Sequence, residues 1–226
     1  MTERAAPSSI PTPPRIERLG LPDRAERLGS SVRQAERELE VGPSTGPLLD
    51  LTYADTHRFP PPSWALPAFS QAAAGAGMTY TPYRGDQTVR SAVAENLAGF
   101  LGVPVDPDRE LILTPGSQGA LFAALSSLVG RDTTVALVDP DYLSSERLLR
   151  YLGARVAHIP LQWEDPSRPP APDLDQLRRV VRAGARVLLF SHPNNPTGMV
   201  YSRQVIAEIA ELARTEDVFV VVGDNK

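Results

Sequence analysis

The 226 residues contain no cysteine, so disulfides, thiolate nucleophiles and cysteine-ligated zinc are excluded at the outset. Histidine is scarce too. His57, His158 and His192 are scattered, without the paired spacing that places two imidazoles on one helix face, and a metal site is not expected. No run of apolar residues is long enough to span a bilayer, and the charged, proline-rich start has no signal-like core, which together suggest a cytoplasmic protein. The formal net charge of -4 carries no basic excess for nucleic acid or an anionic membrane surface, so neither is expected as a partner. Most telling is lysine: of 23 basic residues only Lys226, the last in the chain, is a lysine. Any lysine chemistry within these residues has to pass through it.

What is present is an ordinary globular balance, 42% hydrophobic and 22% charged, enough for one sizeable core. Residues 1–47 mix Pro, Arg, Glu and Gly with little periodicity; they are expected to form a partly disordered arm, with a short helix over Ser31 to Glu40. The expected body runs from 48 to 226. A helix is expected to begin after the three prolines of PPPSWALPAF. Another is expected after Asp86, a candidate N-cap, with Val89, Val93, Leu97 and Leu101 at helical spacing. From Glu110 the pattern alternates: ELILT, a helix over Ser117 to Val129, TVALV, Ser144 to Leu152, RVAHI, Asp173 to Ala183, RVLLF, Ser202 to Arg214, VFVVV. Short apolar strands separated by amphipathic helices predict an α/β domain, a mostly parallel sheet covered on both faces by helices. Leu121, Leu125 and Leu128, and likewise Val205, Ile209 and Leu212, are the expected core stripes of two helices.

Ligands of such sheets sit beyond the carboxyl ends of the strands, which directs attention to TPGSQG, DPDY, SHPNNPTG and GDNK. In TPGSQG a Pro-Gly turn precedes a helix. Gly116, Ser117, Gln118 and Gly119 can then offer first-turn amides to a phosphate, or the segment is a plain strand-to-helix connection. Neither GxGxxG nor a P-loop occurs, which removes the main support for a nucleotide-binding module.

SHPNNPTG resembles the Asn-Pro-Asn-Asn-Pro-Thr-Gly signature of the class I/II aminotransferases, fold-type I enzymes dependent on pyridoxal 5'-phosphate, with His192 in place of the first asparagine. The resemblance covers about residues 48 to 222. It implies that Asn195 hydrogen-bonds the cofactor's phenolic oxygen, that Gly116, Ser117 and Gln118 meet its phosphate, and that Tyr142 of DPDY stacks on its ring, unless that tyrosine is core filling. YTPYRG is similar to the family's Tyr-x-Pro-x-x-Gly segment, whose tyrosine, here Tyr80, reaches the phosphate of the neighbouring subunit in a homodimer. LLDLTYADTHRFPPP resembles the start of the family's folded body, with Ala54 where many members have glycine. The family's last matching strand is followed by an aspartate for the pyridine nitrogen. Family spacing puts it on Gly223, with Asp224 one step later as the candidate.

The implied activity is transfer of an amino group between an amino acid and a 2-oxo acid. Beyond this point the family carries the Schiff-base lysine, a phosphate-binding arginine and a small C-terminal domain, so the expectation is a truncated large domain, inactive as it stands, with no catalytic residue assigned. The competing expectations are a non-catalytic remnant that keeps a phosphate-ligand half-site or a dimer surface, and another fold-type I chemistry such as a lyase or decarboxylase.

Overall fold

Four of the five expected apolar runs, those beyond Thr114, are realised as parallel strands, and their ladders define the carboxyl-terminal edge on which the loops of interest lie. In a computed structural model the residues described are 59–76, 79–163 and 170–224. The expected arm, its helix over 31–40, the boundary at residue 47 and Lys226 fall outside them. The chain divides into two compact units, one holding the described residues from 59 to Thr114 and the other those from Pro115 to Asp224.

In the first unit, helix α1 (Ala65–Ala76) follows the prolines and α2 (Gln87–Leu101) follows Asp86. The Asp86 carboxylate accepts from the amides of Thr88 (2.9 Å) and Val89 (3.2 Å), satisfying two donors that a helix start leaves unpaired. Gly102 ends α2 in the left-handed conformation. The buried face of α2 differs from the expected stripe. It is centred on Arg90 and Ala94, with Val93 and Leu97 half-buried, while Val89 and Leu101 are exposed. Arg90 is buried because its guanidinium is paired: it meets Asp108 at 2.9 Å, the Gly85 carbonyl at 3.3 Å, and Pro107 O and Gln87 Oε1.

ELILT (110–114) is not a strand. Its apolar composition suits one, yet a strand needs a ladder, and no strand pairs with this run among the described residues. Ile112 is exposed, and Leu113 instead donates its amide to the Arg84 carbonyl at 3.0 Å while its side chain lies against Gly85.

The second unit reads α3 (Gly116–Leu128), β1 (Thr134–Asp139), α4 (Leu143–Leu152), β2 (Arg155–Gln162), β3 (Ala171–Pro172), α5 (Leu174–Arg182), β4 (Val187–Ser191), α6 (Arg203–Glu216) and β5 (Phe219–Gly223). The sheet order is β3-β2-β1-β4-β5; β2, β1, β4 and β5 run parallel, and the two-residue β3 pairs antiparallel with the end of β2. Alternation along the strands divides the core in two. Val135 and Leu137 of β1, with Val187 and Leu189 of β4, pack with Leu125 of α3 and Leu149 of α4. Ala136 and Val138, with Leu188 and Phe190, pack with Leu177 and Val181 of α5 and Val205 and Ile209 of α6. Helices therefore cover both faces, as the strand periodicity predicts. The stripes Leu121–Leu125–Leu128 and Val205–Ile209–Leu212 are core, as expected.

Candidate functional site

Parallel strands put their carboxyl ends on one edge, and at that edge α3, the turn after β1, the start of α4, β4 and β5 surround a pocket of about 320 Å³. Its walls include Ser117 and Gln118 from the start of α3, Asp141 and Tyr142 from the turn after β1, Ser191 at the end of β4, and Gly223 and Asp224 at the end of β5. Leu121, Leu189 and Val221 supply apolar lining. This is the usual composition of a small-molecule site, apolar walls with a few placed polar groups.

Gly116 opens α3 with φ of 73°, a value that glycine adopts at little cost, and no side chain caps this helix end. The positive end of the helix dipole therefore meets the pocket where Ser117 and Gln118 line it. The Gln118 Oε1 accepts from Ser144 Oγ at 2.8 Å, tying the starts of α3 and α4 together. Tyr142, the residue preceding α4, is 41% exposed, so it belongs to the pocket wall and not to the core.

Asp224 follows the last residue of β5 and lines the pocket beside Gly223. The strict up-and-down alternation that would penalise a one-residue offset operates inside a strand, and Asp224 lies past its end. Asn195 is not among the pocket-lining residues. It stands next to the wall, because its amide donates to the hydroxyl of Ser191 at 2.9 Å. Tyr80 lies in the other unit and is fully exposed.

The Asn-Asn-Pro-Thr-Gly loop is rigid for reasons its sequence hints at. Asn194 is 2% exposed; its amide nitrogen donates to the Pro140 carbonyl at 3.0 Å, and its oxygen accepts from the Thr197 hydroxyl and amide at 2.5 and 3.3 Å. The first asparagine thus braces the loop internally, and the second is tied by its amide to Ser191 at the pocket wall. His192 joins the brace. Its amide donates to the Gly223 carbonyl at 2.9 Å, and its Nε2 accepts from the Tyr201 amide at 3.0 Å.

The residues sequence reasoning missed are Asp141, Ser145, Ser191 and Tyr201. Asp141 Oδ2 accepts from the amide and hydroxyl of Ser191 at 2.7 and 2.8 Å, and Oδ1 accepts from Ser145 Oγ at 3.1 Å. Burial raises the Asp141 carboxyl above its usual range, and the hydrogen bonds from Ser191, the Tyr142 amide and Ser145 oppose that rise. The Tyr201 hydroxyl is buried beside Asn194 without a formed hydrogen bond; burial first, and then the Asp141 charge, push its pKa up. The doubled acid in DPDY was the available signal for Asp141. The serines gave none, because their roles rest on contacts between distant segments.

The family pattern described as Aminotransferase class I and II matches residues 50–224. This chain belongs to that family. A Mycobacterium tuberculosis protein named as a probable N-succinyldiaminopimelate aminotransferase is 34% identical over 163 residues, 72% of this chain and 41% of its own length. A Thermus aquaticus protein named as a probable aspartate/prephenate aminotransferase is 29% identical over 204 residues, 89% of this chain and 52% of its own. Among solved structures, an aspartate aminotransferase from Rhodobacter sphaeroides superposes with a TM-score of 0.74 at 38% identity, over 80% of this chain and 47% of that one. The chain thus spans about half the length, or less, of the relatives it matches.

Proposed function

We propose that this chain carries the cofactor-binding part of an aminotransferase that uses pyridoxal 5'-phosphate to move an amino group between an amino acid and a 2-oxo acid. The observation behind the reading is the convergence of Ser117, Gln118, Tyr142 and Asp224 on one pocket, with Asn195 anchored to its wall. The donor set suits the group. Helix-start amides with Ser117 and Gln118 match a phosphate, a carboxylate at Asp224 matches a protonated ring nitrogen, an uncharged amide at Asn195 matches an anionic phenolic oxygen, and the exposed ring of Tyr142 matches a flat heterocycle. When bound, the cofactor supplies an electron sink for the bond broken at the substrate's α-carbon. The protein's part would be to hold it: Asp224 would keep the proton on the ring nitrogen, and Asn195 would donate to the phenolic oxygen and keep it anionic. Tyr80, exposed on its own unit, is proposed to reach the phosphate of a second copy in a homodimer. A cytoplasmic location belongs to the same reading.

Equilibrium dialysis of the 226-residue chain against pyridoxal 5'-phosphate tests it. Saturable binding that weakens about tenfold or more in Asn195→Ala and Asp224→Ala is expected, given the strength of charge-assisted hydrogen bonds. Binding unchanged by either substitution would sink the site assignment.

A second reading, of a chain that holds the cofactor or the dimer surface without turnover, is favoured by the single lysine. Lys226 stands two positions after Asp224, the proposed partner of the ring nitrogen, and not on a later strand as the resemblance implies for the Schiff-base lysine. The expected result is no amino-group transfer from a panel of amino acids to a 2-oxo acid, and no cofactor fixed to the chain by borohydride. Turnover abolished by Lys226→Ala would overturn this second reading.

A further inference from the structure

Tyr142 and Asn195 are far apart in sequence, and a turn and a loop have to be held in register for both to meet one small molecule. The structure supplies a single hub between them. The Asp141 carboxylate receives the Ser191 amide and hydroxyl on one oxygen and the Ser145 hydroxyl on the other. The Ser191 oxygen then receives the Asn195 amide at 2.9 Å. Both serines are 3% exposed, so their hydroxyls depend on these bonds, while Asp141 itself is half-buried. A second link runs alongside, from the Asn194 side chain to the Pro140 carbonyl.

We propose that Asp141 is a positioning residue of the cofactor site: acting through the Ser191 hydroxyl, it sets the place of Asn195 relative to Tyr142 and so governs the contact with the cofactor's phenolic oxygen. This rests on the pyridoxal 5'-phosphate reading above. Asp141 also lines the pocket, and its effect on Asn195 is passed through Ser191. A tie that only holds the fold together changes the affinity of every ligand of the pocket alike. A relay ending at Asn195 changes affinity only for a ligand bearing the group Asn195 faces.

Two probes separate these: pyridoxal 5'-phosphate and 3-deoxypyridoxal 5'-phosphate, which keeps the ring, aldehyde and phosphate and lacks the phenolic oxygen. With the full chain in equilibrium dialysis, Asp141→Ala is expected to weaken the first by about tenfold, the loss of one well-made hydrogen bond, and the second by less than about twofold. Asp141→Asn keeps an oxygen for Ser191 and offers Ser145 a donor its hydroxyl can accept, so it is expected to restore most of the difference. Ser191→Ala leaves the Ser191 amide on Asp141 and removes the hydroxyl that joins Asp141 to Asn195; it serves if Asp141→Ala fails to fold, and the same selective loss is expected. Equal weakening of both probes, or of neither, in Ser191→Ala would overturn the relay. If the wild-type chain holds both probes equally and Asn195→Ala changes nothing, the Asn195 assignment itself is overturned, and the relay with it.

Discussion

Asp141 shows at the scale of one residue why a half-buried carboxylate is both an asset and a cost. It satisfies Ser191 and Ser145, and removing it leaves their buried donors without an acceptor, a loss of about 1–3 kcal/mol expected for Asp141→Ala in urea unfolding. Its carboxyl is raised above the ordinary 3.8, chiefly by burial. The folded chain therefore binds this proton more tightly than the unfolded chain does. The associated stability is fully present below about pH 3.8 and is lost as pH rises through the raised value. The titratable neighbours are Tyr201, neutral throughout that range, and Asp224 on the same pocket. The stability of wild type relative to Asp141→Asn is accordingly expected to fall between acid and neutral pH. A difference that grows with pH would contradict the assignment. A second residue makes a sharper steric case. Gly85 has φ of 93°, and a Cβ there would stand 2.7 Å from the Leu113 side chain. Gly85→Ala combines backbone strain with that clash and is expected to cost about 1–3 kcal/mol in the same experiment. None of this was legible in the sequence beyond the glycine itself, because a partner nearly thirty residues away has no local signal.

Elements were legible where local chemistry and long-range packing agree. The Asp86, Asp173 and Ser202 starts could be expected because a short polar side chain before an apolar-periodic run has a local job. Asp173 accepts from the Gln176 amide at 2.8 Å and Ser202 from the Val205 amide at 3.2 Å. Ser202→Ala is expected to lower stability by about 1 kcal/mol, read as a shift in urea midpoint without a change in slope. An unchanged midpoint would mean that water serves the Val205 amide as well. ELILT failed for the complementary reason: its residues carry β propensity, and propensity is context-dependent until a neighbouring ladder exists. The two-residue β3 was invisible because Ala171 and Pro172 carry no period. Only the ladder with Leu161 and Gln162 makes them a strand. Three of the four loops chosen as functional could be read from the sequence because turn-forming residues cluster after apolar strands, and parallel connectivity then places them on one edge of the sheet.

The second unit as a whole is an open sheet, and its two edges are not alike. The β3 side ends in two residues with a proline, a short and blunt edge. The β5 side ends in FVVVG, which among the described residues is hydrogen-bonded to β4 on one flank only, with Phe219 59% exposed and Val220 and Val222 more than a third exposed. Beside it runs an apolar groove lined by Phe190, His192, Ile206, Ile209, Ala210, Val220 and Val222. An apolar strand edge is a template for pairing with another copy, and the usual protection is a charge on the edge. Phe219 lines neither this groove nor the candidate site, so a charge there tests the edge without touching the pocket. The wild-type chain is expected to associate with rising concentration, seen as increasing scattered light. Phe219→Glu is expected to reduce that association while leaving the far-ultraviolet helix signal and cofactor binding unchanged. Scattering that is unaltered by Phe219→Glu would place the association elsewhere, and loss of the helix signal would show that Phe219 supports the fold more than its exposure suggests.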